Sequence, residues 1–208
     1  MTARGSTPGP SASIGTIGTI GALILAGGAS ARMGRPKALI EIEGQSFVAR
    51  GVATLHAAGC SPVLVIDGAH RLDKHFDAQV ELVHNDRWEL GPLSSLQAGL
   101  HRALALEPAL VGVLVHQVER PRIRVATISA LLAAFAKDPD GLWQPTHAGR
   151  SGHPMLWPRA LFDALLALDP AHASARTLVR GAASRLRRKL TVDDPGVLEN
   201  IDTPADVP

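Results

Sequence analysis

The residues best suited to chemistry lie close together near the start of the chain. The stretch "LILAGGASARMGRPKALIEIEG", residues 23–44, begins as an apolar run, breaks at Gly27–Gly28, and then places Arg32, Arg35 and Lys37 close together. Glycines let backbone N–H groups turn inward and approach an anion closely. An arginine clasps a phosphate through two donors, whereas a lysine supplies a compact charge. Pro36 stiffens the approach to Lys37. The combination Gly27, Gly28, Ser30, Arg32, Gly34, Pro36, Lys37 predicts a loop that grips phosphates, with Arg32 and Lys37 as counter-charges. A tight turn carrying solvated cations is the alternative. Two familiar phosphate loops are excluded, because the glycines do not follow G-x-G-x-x-G and the P-loop's Gly-Lys-Ser/Thr ending is missing.

Other constellations carry less. The nine histidines include no H-x-x-x-H pair, no H-E-x-x-H and no cysteine partners at zinc spacing. No G-x-S-x-G surrounds Ser30, Ser94 or Ser95, which argues against hydrolase chemistry. The basic run "SRLRRKL", residues 184–190, reads as a solvated helix end, with docking to an acidic partner as the alternative. No aromatic residue interleaves with it, which argues against single-stranded nucleic acid.

The elements that must position the loop are legible from periodicity. Apolar runs "ALILAG", "PVLVID", "VELVH" and "ALVGVLVH" read as strands, and "SFVARGVATLHAAG", "SSLQAGLHRALAL" and "ATISALLAAFAKD" as helices. Ser46 suits an N-cap and Gly59 a stop. Strand–helix alternation predicts an α/β domain with a mostly parallel sheet covered on both faces. In such sheets ligands sit outside the carboxyl ends of the strands, where the glycine loop, "DGAH", "HNDRW" and "HQVERP" all fall. After Asp140 the texture changes. "GLWQPTHAGRSGHPMLWP" reads as two strands around a loop, "RALFDALLAL" and "SARTLVRGAASRL" as helices, and "RKLTVDD" as a last strand before the tail "NIDTPADVP".

Composition bounds the class. A chain of 208 residues, 46% hydrophobic and 19% charged, is long enough for one domain with a substantial core. Residues 1–20, rich in Gly, Ser, Thr and Pro, read as a flexible leader without a secretory signal, and residues 21–208 as the domain. A net charge of +2 gives no argument for nucleic acid, and no apolar run reaches membrane-helix length. The single cysteine, Cys60, excludes an internal disulfide and suits a cytoplasmic setting.

Four segments, in order, resemble one family. "LAGGASARMGRPK" matches L-A-[AG]-G-x-S-x-R-[MF]-G-x-x-K, the signature of the MobA/MocA-like nucleotidyltransferases that transfer a nucleoside monophosphate to the molybdenum cofactor. Sugar-phosphate and methylerythritol-phosphate cytidylyltransferases look similar at this loop. "NDRWELGPLSSLQAGL" resembles the family's second nucleotide-contacting segment, "GRSGHPMLWPRALFDAL" its G-x-x-G-H-P acceptor segment, and "NIDTPADV" its closing [DN]-x-[DN]-T-P-[ED]-D. The likeness runs from Ala22 to Val207.

The resemblance implies a single-domain, three-layer α/β/α fold with a mostly parallel, mixed sheet, the Rossmann-like nucleotidyltransferase fold. It implies attack by an acceptor phosphate on the α-phosphorus of a nucleoside triphosphate, with release of pyrophosphate. Leu25, Ala26 and Gly27 would meet the base and ribose; Gly28 to Arg32 and Lys37 would hold the phosphates. Asp67, Asn85, Asp86 and the Gly91–Ser95 stretch, Ser95 included, would complete the nucleoside pocket, and His153 would lie near the acceptor. Mg²⁺ would rest on Glu119 and on Asn200 or Asp202. Glu119 stands where the family has an aspartate in V-D-x-P; the extra methylene displaces the carboxylate by roughly 1.5 Å, and a misplacement of ~1 Å costs about a hundredfold in rate. Arg120 and Arg122 flank it, where they could pair with Glu119 or contact an anionic acceptor. CTP is favoured over GTP, molybdopterin is the expected acceptor, and a molybdoenzyme or its chaperone the expected protein partner. A nucleotide-binding accessory protein with weakened turnover and a sugar-phosphate nucleotidyltransferase are the alternatives.

Overall fold

The computed structural model of the protein describes residues 18–75 and 80–207. The expected leader lies outside the described residues as far as position 17, and its last residue already opens the sheet. Strand β1 (Ile20–Leu25) starts two residues before the expected run. The hairpin β2 (Glu41–Ile42) and β3 (Gln45–Ser46) follows. Helix α1 (Phe47–Ala57) begins where Ser46 Oγ accepts from Ala49 N at 3.3 Å, and Gly59 takes a positive φ of 95° just past its end. Strands β4 (Val63–Asp67) and β5 (Glu81–His84), helix α2 (Pro92–Leu106), strand β6 (Gly112–Gln117) and helix α3 (Val125–Lys137) continue the alternation.

The second half departs from the expected outline. Between residues 141 and 158 lie three strands, not two: β7 (Leu142–His147), the short β8 (Arg150–Ser151) hairpinned onto it, and β9 (Met155–Pro158). Helices α4 (Phe162–Leu166) and α5 (Ala175–Arg180) are shorter than their apolar patterns, and β10 (Arg187–Thr191) closes the series. Gly181 leaves helical geometry at φ −98°, ψ −117°, which cuts α5 from the 3₁₀ turn at Ser184–Leu186.

The sheet order is β10-β7-β9-β6-β1-β4-β5, with β8 beside β7. All neighbours on this path are parallel except β9, which runs antiparallel to both β6 and β7. Alternate residues of β1 face opposite layers. Ala22 and Ile24 pack with Phe47 and Leu55 of α1 and with Ile128, Leu131 and Phe135 of α3. Leu23 packs with Leu96 and Leu100 of α2, Phe162 and Leu165 of α4, and Val179 of α5. Helices therefore cover both faces, giving one three-layer α/β/α unit with a mostly parallel mixed sheet. From β1 the chain moves outward through β4 and β5, then returns to β6 on β1's other side. The carboxyl ends of β1 and β6 thus form the point where the strand order reverses, and crevices for ligands open there. Cys60 is buried, and burial pushes its thiol up to about 12, so it is not a nucleophile at neutral pH. Among the described residues no helix is long and apolar enough to cross a membrane.

Candidate functional site

The site is built where β1 gives out. Ala26 N still donates to Ile66 O of β4 at 2.8 Å, and then the chain turns away from the sheet. At Gly27 a Cβ would come within 3.1 Å of Ser95 Oγ and 3.3 Å of Asp67 O, so any larger residue would have to push α2 or β4 aside by a few tenths of an ångström. At Gly28 the same construction meets nothing within 4 Å, so the backbone there faces open space. Ser30 sits at φ 53° and its hydroxyl accepts from Lys37 N at 3.1 Å, which closes the loop on itself.

Closure brings the two predicted counter-charges together on one carboxylate. Arg32 Nη2 lies 3.2 Å from Asp202 Oδ2, and Lys37 Nζ donates to Asp202 Oδ1. Asn200 Nδ2 also donates to Asp202 Oδ2, at 2.6 Å. The lysine bond, ahead of the charges of Lys37 and Arg32, holds the Asp202 carboxyl below its ordinary range. The tail that carries Asp202 is strapped to the end of β6: Ile201 N donates to Glu119 O at 3.0 Å. Arg120 adds a second strap, donating to Gln117 Oε1 at 3.0 Å, Val197 O at 3.0 Å and Glu199 O at 2.6 Å. Burial lowers the pKa of this guanidinium from its ordinary value. Arg122 lies 3.6 Å from Glu199. Among the described residues neither arginine forms an ion pair with Glu119, so the expected competition for that carboxylate does not arise.

Two cavities meet here. The smaller, about 180 Å³, is lined by Leu25, Ala26, Gly27, Gly28, Ser30 and Lys37 from the loop, by Ser95 and Pro92 from α2, and by Gln117 to Glu119 after β6, with Trp88 and Gly91 closing it. The larger, about 650 Å³, shares Leu25, Pro92 and Gln117 with it and extends past His153 over the β6–β9 face. The sequence-predicted residues therefore divide. Leu25, Ala26, Gly27, Gly28, Ser30, Lys37, Ser95 and Glu119 line one cavity; Arg32, Asn200 and Asp202 stand at its edge around Lys37; His153 lines the other.

Asp67, Asn85 and Asp86 stand behind the lining. Asp67, fully buried, accepts from Leu72 N at 2.8 Å and meets His84 Nδ1 at 2.6 Å, and His84 Nε2 in turn meets the exposed Asp86 at 3.0 Å. Asn85 donates to Ser94 Oγ at 2.9 Å and Ser95 Oγ at 3.0 Å and accepts from Arg87 N at 3.0 Å. These groups fix the β4 loop and the start of α2 against each other. Gln117, on the shared wall, carries no motif in the sequence; its place at the end of a buried strand beside the switch point is the signal that finds it.

Two histidines under the site are neutral. Burial, then the charges of Arg120 and His153, lowers His116 to about 3; burial, then Arg120 and Arg176, lowers His153 to about 4. Neither ring nitrogen of His116 has a hydrogen-bond partner among the described residues.

Comparison with known proteins places this geometry. Residues 22–189 match the family model described as MobA-like NTP transferase domain. A protein of Opitutus terrae named "Probable molybdenum cofactor guanylyltransferase" is 32% identical over 168 residues, covering 79% of this chain and 74% of that protein. A protein of Paenarthrobacter nicotinovorans named "Nicotine blue oxidoreductase" is 30% identical over 169 residues, covering 76% of this chain and 80% of that one. Among solved structures, Rv0371c of Mycobacterium tuberculosis H37Rv superposes with a TM-score of 0.76 at 23% identity, covering 92% of this chain and 96% of that one. The same protein, solved as a complex with manganese, superposes at 0.70 and 20% identity over 90% and 95% of the two chains. At these identities the structures speak to the fold alone.

Proposed function

The chain belongs to the MobA-like NTP transferase family, and from that membership we propose that it transfers a nucleoside monophosphate from a nucleoside triphosphate to a small phosphorylated acceptor. One observation carries the reading: the glycine-loop cavity and a larger cavity share a wall at Leu25, Pro92 and Gln117, so two substrates can meet there. An oxygen of the acceptor phosphate bonds to the α-phosphorus while the bond from that phosphorus to the bridging oxygen breaks, and pyrophosphate departs. Such chemistry asks the protein for positioning and for neutralisation of charge. The open backbone at Gly28 and the Lys37 ammonium would hold the phosphates, and Arg32, at the rim, would follow the charge growing on pyrophosphate.

A divalent metal fits the donor set. Glu119 offers a carboxylate in the small cavity, and Asp202 a second from the strapped tail; Mg²⁺ is characteristically bound through one or two carboxylates with substrate phosphates completing its shell. When bound it would neutralise phosphate charge. Asp202 would serve only as Lys37 and Arg32 turn from it toward phosphate.

CTP is the triphosphate favoured by the sequence, and molybdopterin the acceptor; the relative in Opitutus terrae is named for guanylyl transfer. A second reading, nucleotide binding with little or no transfer, rests on the glutamate at position 119. The test is pyrophosphate release with CTP or GTP, Mg²⁺ and molybdopterin, comparing the native protein with Glu119→Asp. Release by the native protein supports transfer; no release by either protein, with tight nucleotide binding in both, overturns it.

A further inference from the structure

The larger cavity has a property that an ordinary solvated cleft lacks. Its floor is apolar, with Leu96, Val115, Met155, Trp157 and Val179 all buried. Its charged lining consists of Arg176, Arg180 and Arg187, and no carboxylate lines it. Arg176 and Arg180 stand one turn apart on α5, where like charges repel each other. Among the described residues none of the three forms an ion pair; Arg187 donates to Gln144 Oε1 at 3.2 Å, which turns its head along the cavity wall. A volume of about 650 Å³ is that of a pocket for a complete small molecule.

Register places Arg187 at the end remote from the reaction, and Arg176 and Arg180 of α5 line the same cavity. Arg187 pairs with Leu142 of β7, the neighbouring Trp143 with Leu156 of β9, and Leu156 with Leu114 of β6. Arg187 is therefore three strands away from β6, roughly 14 Å across the sheet at ordinary strand spacing. Gln117 of the shared wall lies at the end of β6, further up the sheet than the level of Arg187. One phosphate cannot meet both ends.

Resting on the transfer reading above, we propose that the acceptor carries a second anionic group apart from the phosphate that attacks. Arg176, Arg180 and Arg187 hold this remote anion, the apolar floor takes the body of the molecule, and the attacking phosphate is directed to the shared wall. His153, neutral between the two ends, offers a hydrogen bond there and no charge.

The probes are trans-stilbene-4,4′-disulfonate, an apolar body long enough to carry its two anions toward opposite ends of the cavity, and trans-stilbene-4-sulfonate, which has one. Their affinities are measured by fluorescence for the native protein and for Arg176→Ala/Arg180→Ala, with nucleotide affinity followed in parallel. The disulfonate is expected to bind the native protein at least tenfold more tightly than the monosulfonate. That ratio is expected to fall to near one in the double variant and to persist in Arg176→Lys/Arg180→Lys, with nucleotide affinity unchanged in both. Both positions are exposed, so the substitutions leave the core intact. A ratio near one in the native protein, or a ratio that survives the alanine variant, overturns the proposal. The nucleotide measurement keeps the two readings apart: a failed ratio with normal nucleotide binding leaves nucleotidyl transfer standing, whereas loss of nucleotide binding by the native protein overturns the transfer reading itself.

Discussion

At the scale of single residues, the loop's cations do different amounts of work. The Lys37 side chain is 15% exposed and that of Arg32 69%. Hydrogen bonds to charged groups contribute about 1.5–3 kcal/mol when shielded and well under that at an exposed rim. Lys37→Ala is therefore expected to weaken nucleoside triphosphate binding by about ten- to a hundredfold, and Arg32→Ala by less than about tenfold, both read by calorimetric titration. Unchanged affinity in the double variant would remove the phosphate-loop reading altogether. That this loop would bring its glycines and Lys37 to one cavity was legible in the sequence, from glycine, arginine and lysine set close together after a buried strand. The role of Asp202 as their resident partner was not, since 165 positions separate it from Lys37 and only the fold joins them.

At the scale of elements, the start of α2 depends on a side chain outside the cavity lining. Asn85 spends both ends of its amide on Ser94, Ser95 and Arg87. Asn85→Ala leaves those buried hydroxyls without their donor, and is expected to cost about 1–3 kcal/mol. A thermal melt should record this as a fall in Tm of several degrees, on the order of 2–4 °C per kcal/mol for a domain of this size. A change within experimental scatter would show that the serines find other partners. Strands β1, β4, β5 and β6 and helices α1 to α3 could be read from periodicity, whereas the two-residue strands β2 and β3 are too short to show any. The region after Asp140 could not be read as fully. All four residues of β9 are buried, so its sequence has no alternation to reveal direction, and it runs against both neighbours. A helical apolar pattern across residues 174–186 likewise conceals the break that Gly181 introduces.

At the scale of the whole molecule, the neutral histidines link folding to acidity. His116 and His153 titrate near 3 and 4 in the fold, while an unfolded chain protonates histidine near 6.5. Both folded values are depressed for groups that gain charge on protonation, so between about pH 6.5 and 4 the unfolded state binds more protons. Stability is thus full above about pH 6.5 and falls as pH drops through that window, with a slope approaching about 1.4 kcal/mol per pH unit for each histidine. Asp202, held below its ordinary range, keeps its stabilising charge through this window and loses it only at lower pH. Urea midpoints measured from pH 7.5 to 4.5 should decline, and His116→Leu should flatten the decline by about half. An equal slope in the variant would mean that His116 finds a proton-tolerant arrangement as the pH falls.

The strap between Ile201 and Glu119 has a practical corollary. The last strand of the sheet ends at Thr191, and Ile201 seals the core, yet the carboxylate that meets Lys37 arrives one residue later. A nick after Ile201 would leave every strand of the sheet in place, give up the packing of Val207 against the core, and take away the anion that meets Lys37. Integrity of those final few residues, checked by intact mass, is then the first thing to establish before a silent assay is blamed on the wrong nucleotide.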